Sequence, residues 1–143
     1  YSIRKPVQVK ELIIHHSASK NMDSYQIAQD HVNSKGWPGI AYHITINREG
    51  VVFLCNSLSG QSYHCNNHNF KSTGTCLLDN LEERVMTNKM ENRLMDIIEL
   101  FGHHFHPLLL LGHKEAGSTK CPGQSVNLNK FRRLYADCCY QLQ

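Results

Sequence analysis

The residue types best suited to chemistry in this chain lie in two short stretches. The segment Gly112-His113-Lys114-Glu115-Ala116-Gly117-Ser118-Thr119-Lys120-Cys121-Pro122-Gly123 carries an imidazole and a thiol in a loop that follows an apolar run. Such a loop can close a chelate, because both side chains can turn toward one point. Zinc accepts His nitrogen and Cys thiolate, and its catalytic sites use three protein ligands with water in the fourth position. Ile13-Ile14-His15-His16-Ser17-Ala18-Ser19 supplies the third ligand. A histidine at the end of an apolar strand is held rigidly and can be aimed at a loop leaving a neighbouring strand. Successive strand residues point to opposite faces, so only one of His15 and His16 can ligate. Taken singly, His113 and Cys121 would read as a loop histidine and a small buried thiol. The metal reading rests on their conjunction with a strand-end histidine.

The elements that must position these groups are legible from periodicity. Val9 to Ile14 turns wholly apolar at Leu12-Ile13-Ile14 and suits a buried strand running into His15. Leu108 to Leu111, after Pro107, suits a second buried strand leading into His113. Asp23 followed by Gln26 makes a capping box. Ile27, Ala28 and His31-Val32 then give helical spacing, and Gly36 supplies a stop. Ala41 to Asn47 and Val51 to Leu54 read as an antiparallel hairpin turned by Arg48-Glu49-Gly50. Thr73 to Leu78 is a further strand, preceded by a polar loop from Ser62 to Ser72. Thr87 caps a long helix whose Met90, Leu94, Ile97, Ile98, Phe101 and Phe105 form one apolar face. Leu128, Phe131, Leu134, Tyr135 and Cys138 mark a closing helix. Strands alternating with helices predict an α/β fold, a mixed central β-sheet flanked by helices.

Composition sets the outer limits. A chain of 143 residues with 41% hydrophobic content fits one domain over 1–143, with no repeat or linker to divide it. Fifteen Lys plus Arg against 12 Asp plus Glu give a net charge of only +3. Without a dense basic stripe, nucleic acid is not an expected partner. The longest apolar run is far too short for a membrane span, and Tyr1 to Lys10 lacks the layout of a signal peptide, so membrane insertion is not expected. A start at Tyr1 fits a trimmed product, and no cellular location follows from it. The six cysteines are irregularly spaced, two of them adjacent as Cys138-Cys139, and reduced thiols are expected. His103, His104 and His106 lack a strand or carboxylate beside them and read as the wet end of a helix.

The sequence resembles the zinc-dependent N-acetylmuramoyl-L-alanine amidases, a family that includes lysozyme-like amidases of short-tailed phages and animal peptidoglycan-recognition proteins. The resemblance is carried by Ile14-His15-His16-Ser17-Ala18-Ser19, Gly36-Trp37 through Ala41-Tyr42-His43-Ile44, Arg48-Glu49-Gly50, His64 with Asn69 and Ser72, and His113 to Gly123, all in family order. It implies that His15, His113 and Cys121 hold Zn2+ and that Tyr42 acts beside the metal. Thr119 falls where the phage amidases carry a catalytic Lys and many recognition proteins carry Thr. The loop beginning at His64 is similar to a segment lining the substrate groove, which makes His64, Asn69 and Trp37 candidate substrate contacts; Trp37 reads equally as a core edge. His64 is also a candidate proton donor, and His43 a residue that supports the site. The implied substrate is peptidoglycan and its muropeptides, cut by a monomeric enzyme at the amide between N-acetylmuramic acid and L-alanine, as in a bacteriolytic endolysin. Ala41, Thr73, Asp79-Asn80 and Thr119 depart from the commonest family residues. Two other functions compete. One is a peptidoglycan receptor that binds without cutting, in which the thiol ligand is commonly lost. The other is a thiol hydrolase using Cys121 as nucleophile with a His base.

Overall fold

A computed structural model describes residues 1–105 and 107–141. Its centre is a five-stranded sheet built from β2 (Glu11–His16), β3 (Ile44–Ile46), β4 (Val52–Leu54), β6 (Ser72–Leu77) and β7 (Leu109–Gly112), in the order β4-β3-β6-β2-β7. Only the β3–β4 hairpin is antiparallel; the other pairings are parallel. The mixed sheet expected from the sequence is therefore present. A separate antiparallel ribbon pairs β1 (Ser2–Ile3) with β5 (Gly60–Gln61).

The sheet carries helices on both faces. On one side lie α2 (Asn88–His104) and α4 (Leu128–Gln141). Leu12, Ile14, Ile44, Ile46, Leu77 and Leu110 of the strands meet Met90, Leu94, Ile97, Ile98 and Phe101 of α2 and Leu128 and Phe131 of α4 in one dry cluster. That helix begins as the sequence predicts, with the Thr87 hydroxyl accepting from the Met90 amide at 3.1 Å. The other face is covered in part by α1 (Ser24–Lys35), whose Ile27 packs with Ile40, Cys76 and Leu78. Asp23 and Gln26 form the expected reciprocal cap, and Gly36 closes the helix in the left-handed conformation.

Most strand boundaries shift by one to three residues from the sequence expectation, and three differences bear on the site. The first strand runs on through His16 and is not finished at Ile14. The hairpin strands are shorter than expected, so Ala41, Tyr42 and His43 precede β3 in an irregular segment. His113 opens a one-turn helix, α3 (His113–Ala116), where a loop was expected. The Glu115 carboxylate accepts from the Gly112 amide at 2.8 Å, which holds that turn against the strand end. Among the described residues, no helix is long and apolar enough to cross a membrane. All six cysteines are free thiols, as expected. His103 and His104 are exposed in the last turn of α2, while His106 lies outside the described residues.

Candidate metal centre

Parallel pairing brings the three predicted ligands to one end of the sheet. Register places His15 beside Cys76 of β6 and Ile14 beside Gly112 of β7, so His113 leaves β7 level with His15. The two rings stand 4.6 Å apart between centroids. The peptide around Cys121 is drawn in by two bonds. The Lys114 amide donates to the Cys121 carbonyl at 2.7 Å, and the His16 amide donates to the Cys121 sulfur at 3.3 Å. Cys121 Sγ then lies 3.7 Å from His15 Nδ1. A nitrogen and a sulfur sharing one tetrahedral zinc would stand about 3.5 Å apart. Ligand atoms of His15, His113 and Cys121 all fall within 4.8 Å of one another, so the group is able to hold a metal ion. His16 leaves the strand on the other side, where its Nδ1 accepts from the Leu81 amide at 3.1 Å.

Burial sets the electrostatics. It pushes the His15 pKa well below the ordinary value, and the neighbouring imidazoles of His64 and His113 add to the effect. His113 shifts the same way for the same first reason. Neutral imidazoles offer lone pairs, which is the state a metal requires. Burial moves the Cys121 thiol up to about 12, and the His16 amide only partly offsets this. In the metal-free chain that sulfur keeps its proton at neutral pH.

Tyr42 stands beside this group, 5.2 Å from His15 between ring centroids. Burial raises its pKa well above 10, with the Cys76 and Cys121 thiols contributing, so its hydroxyl is a neutral donor. Its backbone is fixed from two sides. Asn56 Nδ2 donates to the carbonyls of Ile40 and Tyr42, both at 2.7 Å. His31 Nδ1, from the buried side of α1, accepts from the Ala41 amide at 3.0 Å. Nothing in the local sequence distinguishes Asn56 from other loop asparagines. His31 could have been noticed as a histidine one turn after Ile27 on the buried side of a helix.

Among the remaining candidates, His64 and Asn69 are placed differently from the expectation. His64 was expected on the substrate groove, but it is buried beneath His15, with its Nδ1 3.0 Å from His15 Nε2. Asn69 also supports and does not face a groove. Its Oδ1 accepts from the Cys65 amide at 2.7 Å, and its carbonyl accepts from the buried Arg4 guanidinium at 2.6 Å. The physical reasons differ: Asn69 satisfies an amide of its own polar loop, whereas His64 is held by ring bonds to His15 and Ser72. Trp37 is half-buried, with the His31 ring 5.0 Å away, Tyr63 edge-on at 5.9 Å and the Lys35 ammonium 5.2 Å above its centroid. Thr119 is exposed. Its Oγ1 accepts from the Cys121 amide at 3.1 Å, which leaves the hydroxyl hydrogen available as a donor. His43 is fully buried, accepts from the Gly74 amide at 3.1 Å, and has its pKa lowered to about 4 by burial.

Comparison with known proteins places this geometry in context. The family described as N-acetylmuramoyl-L-alanine amidase matches residues 5–124. Peptidoglycan-recognition protein SC2 of Drosophila simulans is 28% identical over 131 residues, covering 80% of this chain and 68% of that protein. An endolysin of Enterobacteria phage K11 is 25% identical over 126 residues, covering 82% of this chain and 83% of the endolysin. Among solved structures, N-acetylmuramoyl-L-alanine amidase LysC from Clostridium intestinale URNW superposes with a TM-score of 0.88 at 20% identity, covering 95% of this chain and 91% of that one.

Proposed function

The chain belongs to the N-acetylmuramoyl-L-alanine amidase family, and from that premise we propose that it is a zinc hydrolase cutting the amide between N-acetylmuramic acid and the first L-alanine of peptidoglycan. The observation that carries the reading is the convergence of His15, His113 and Cys121, whose ligand atoms lie within 4.8 Å of one another. Two neutral imidazoles and one thiol that gives up its proton on binding are a fitting donor set for zinc. When bound there, zinc supplies a Lewis acid and a water whose pKa falls toward roughly 7.

The chain's own residues account for the rest. Tyr42 keeps its proton and its ring stands beside His15, so its hydroxyl can donate to negative charge that develops on the amide oxygen. Thr119 assists with the second hydroxyl, held by its bond to the Cys121 amide. Trp37, edge-on to Tyr63 and linked to Tyr42 through the His31 ring, offers apolar surface to the substrate. His64 and Asn69 hold the frame from behind. Peptidoglycan as the partner is supported by the family and by relatives named as an endolysin and as recognition proteins.

Both competing functions make distinct demands. A receptor that only binds has no use for a thiol at position 121, and the thiol is retained. A thiol nucleophile works as thiolate, whereas burial moves Cys121 up to about 12. The deciding experiment is digestion of purified peptidoglycan with mass analysis of the products. The expected result is release of stem peptides bearing a free L-alanine amino group, lost on zinc chelation and restored by zinc. Binding with no release would establish the receptor, and release that survives chelation but not alkylation would establish the thiol enzyme.

A further inference from the structure

The hydrogen bonds beneath His15 have a direction that the backbone dictates. They begin at the His68 carbonyl, which can only accept, and Ser72 Oγ lies 2.7 Å from it. The Ser72 proton is therefore committed to that carbonyl. Ser72 Oγ also lies 3.1 Å from His64 Nε2, and with its own proton spent it can only accept there. His64 must carry its proton on Nε2. A neutral imidazole with a proton on one nitrogen has a lone pair on the other, so His64 Nδ1 accepts. Its partner at 3.0 Å is His15 Nε2, which must in turn be the donor. The lone pair of His15 is left on Nδ1, the atom that stands 3.7 Å from Cys121 Sγ.

We propose that Ser72 and His64 are positioning residues that fix the tautomer of His15, holding its Nδ1 unprotonated and aimed at Cys121 before any metal arrives. The inference rests on the zinc reading only for what the prepared nitrogen is for; the tautomer itself is a property of the metal-free chain. The fold gives this relay room as well as direction. Ser72 and Gly74 lie on the same side of β6, and a Cβ added at Gly74 would stand 2.6 Å from His64 Cγ and Nδ1. The bare glycine is what lets the His64 ring approach the strand this closely. Ser72, His64 and His15 are all buried, so water does not compete for these protons. A reversed relay, with the Ser72 proton turned to His64, would give up the 2.7 Å bond to the His68 carbonyl, leaving that oxygen the Lys71 amide at 3.0 Å, and would leave His15 protonated on Nδ1. Metal binding would then have to displace that proton or turn the ring.

The test starts from the metal-free parent protein, in which long-range proton–nitrogen correlation spectra distinguish the two imidazole tautomers. Protons on Nε2 of both His15 and His64 are expected; a proton on His15 Nδ1 overturns the proposal outright. Zinc affinity, measured by competition with a chromogenic chelator, gives a second readout. Ser72→Ala is expected to weaken zinc binding about 10- to 100-fold, the usual effect of losing a residue that orients a ligand, while Ser72→Thr restores it. A folded Ser72→Ala protein that binds zinc as tightly as the parent also overturns the proposal. No readout uses peptidoglycan, so a failed relay and a failed amidase assignment give different results.

Discussion

The two faces of the central sheet are built by the same strands and do opposite work. On the α2 and α4 side, Leu12, Ile14, Ile46 and Leu77 meet Leu94 and Ile98 with almost no exposure. On the other side, Glu11, His15, Ser72 and Cys76, set around Ile13 and Gly74 of the same strands, are also buried but polar or ionisable. Glu11 takes the Lys71 ammonium at 2.9 Å and the His68 ring at 2.7 Å, while Ser72 and His64 engage His15. One face is held by non-directional apolar burial, which tolerates small shifts. The other adds to a smaller apolar cluster around Ile27 and Ile40 a set of directional bonds, each of which is costly to leave unmade. The main apolar core and the candidate site thus lie on different sides of one sheet, and substitutions on the two sides should fail in different ways.

The sharpest way to break this contrast is at Tyr42. Tyr42→Phe removes one donor aimed at developing charge and nothing from the apolar face. Turnover should fall about 100- to 1000-fold, or about 3 to 4 kcal/mol, with zinc content and thermal midpoint retained. Normal turnover would remove Tyr42 from the mechanism, and simple unfolding would make it a packing residue. The converse experiment is Leu94→Ala, which opens a cavity in the dry cluster. Unfolding in urea should show a loss of about 2 to 5 kcal/mol, with zinc affinity unchanged. A folded variant that loses zinc would show that the two faces are coupled.

Acid offers a third test. Burial lowers His43 from 6.5 to about 4, and His15, His64 and His31 shift in the same direction. A histidine depressed in the folded state binds its proton more readily when unfolded. Its contribution is complete above about pH 6.5 and is lost as pH falls toward 4; for His43 alone it amounts to about 3 kcal/mol. Stability measured from pH 7 to 4.5 should therefore decline steadily, with the site signals of His15 and Tyr42 disturbed before those of α2. A flat profile would mean that the polar face carries no such linkage.

Much of this organisation was readable in the chain itself. Leu12-Ile13-Ile14 before a histidine, a Thr87 cap before a three-and-four apolar repeat, and the Asp23–Gln26 pair each express local physics. Periodicity and capping act within a few residues, so the sequence alone settles them. It also separated His15 from His16 by the two-residue repeat of a strand. What it could not do was measure distance between segments. The loop from Ser62 to Ser72 reads as polar whether it faces solvent or folds beneath the sheet, and only the packed chain places His64 3.0 Å behind His15. Asn56 reaches the Tyr42 carbonyl from a loop that carries no signal of its own. Sequence determined the main strands and helices and the candidate ligand types through local propensity and alternation. Tertiary structure alone decided which side chains became supports, because that depends on the register of β2 against β6 and β7 and on the space left by Gly74.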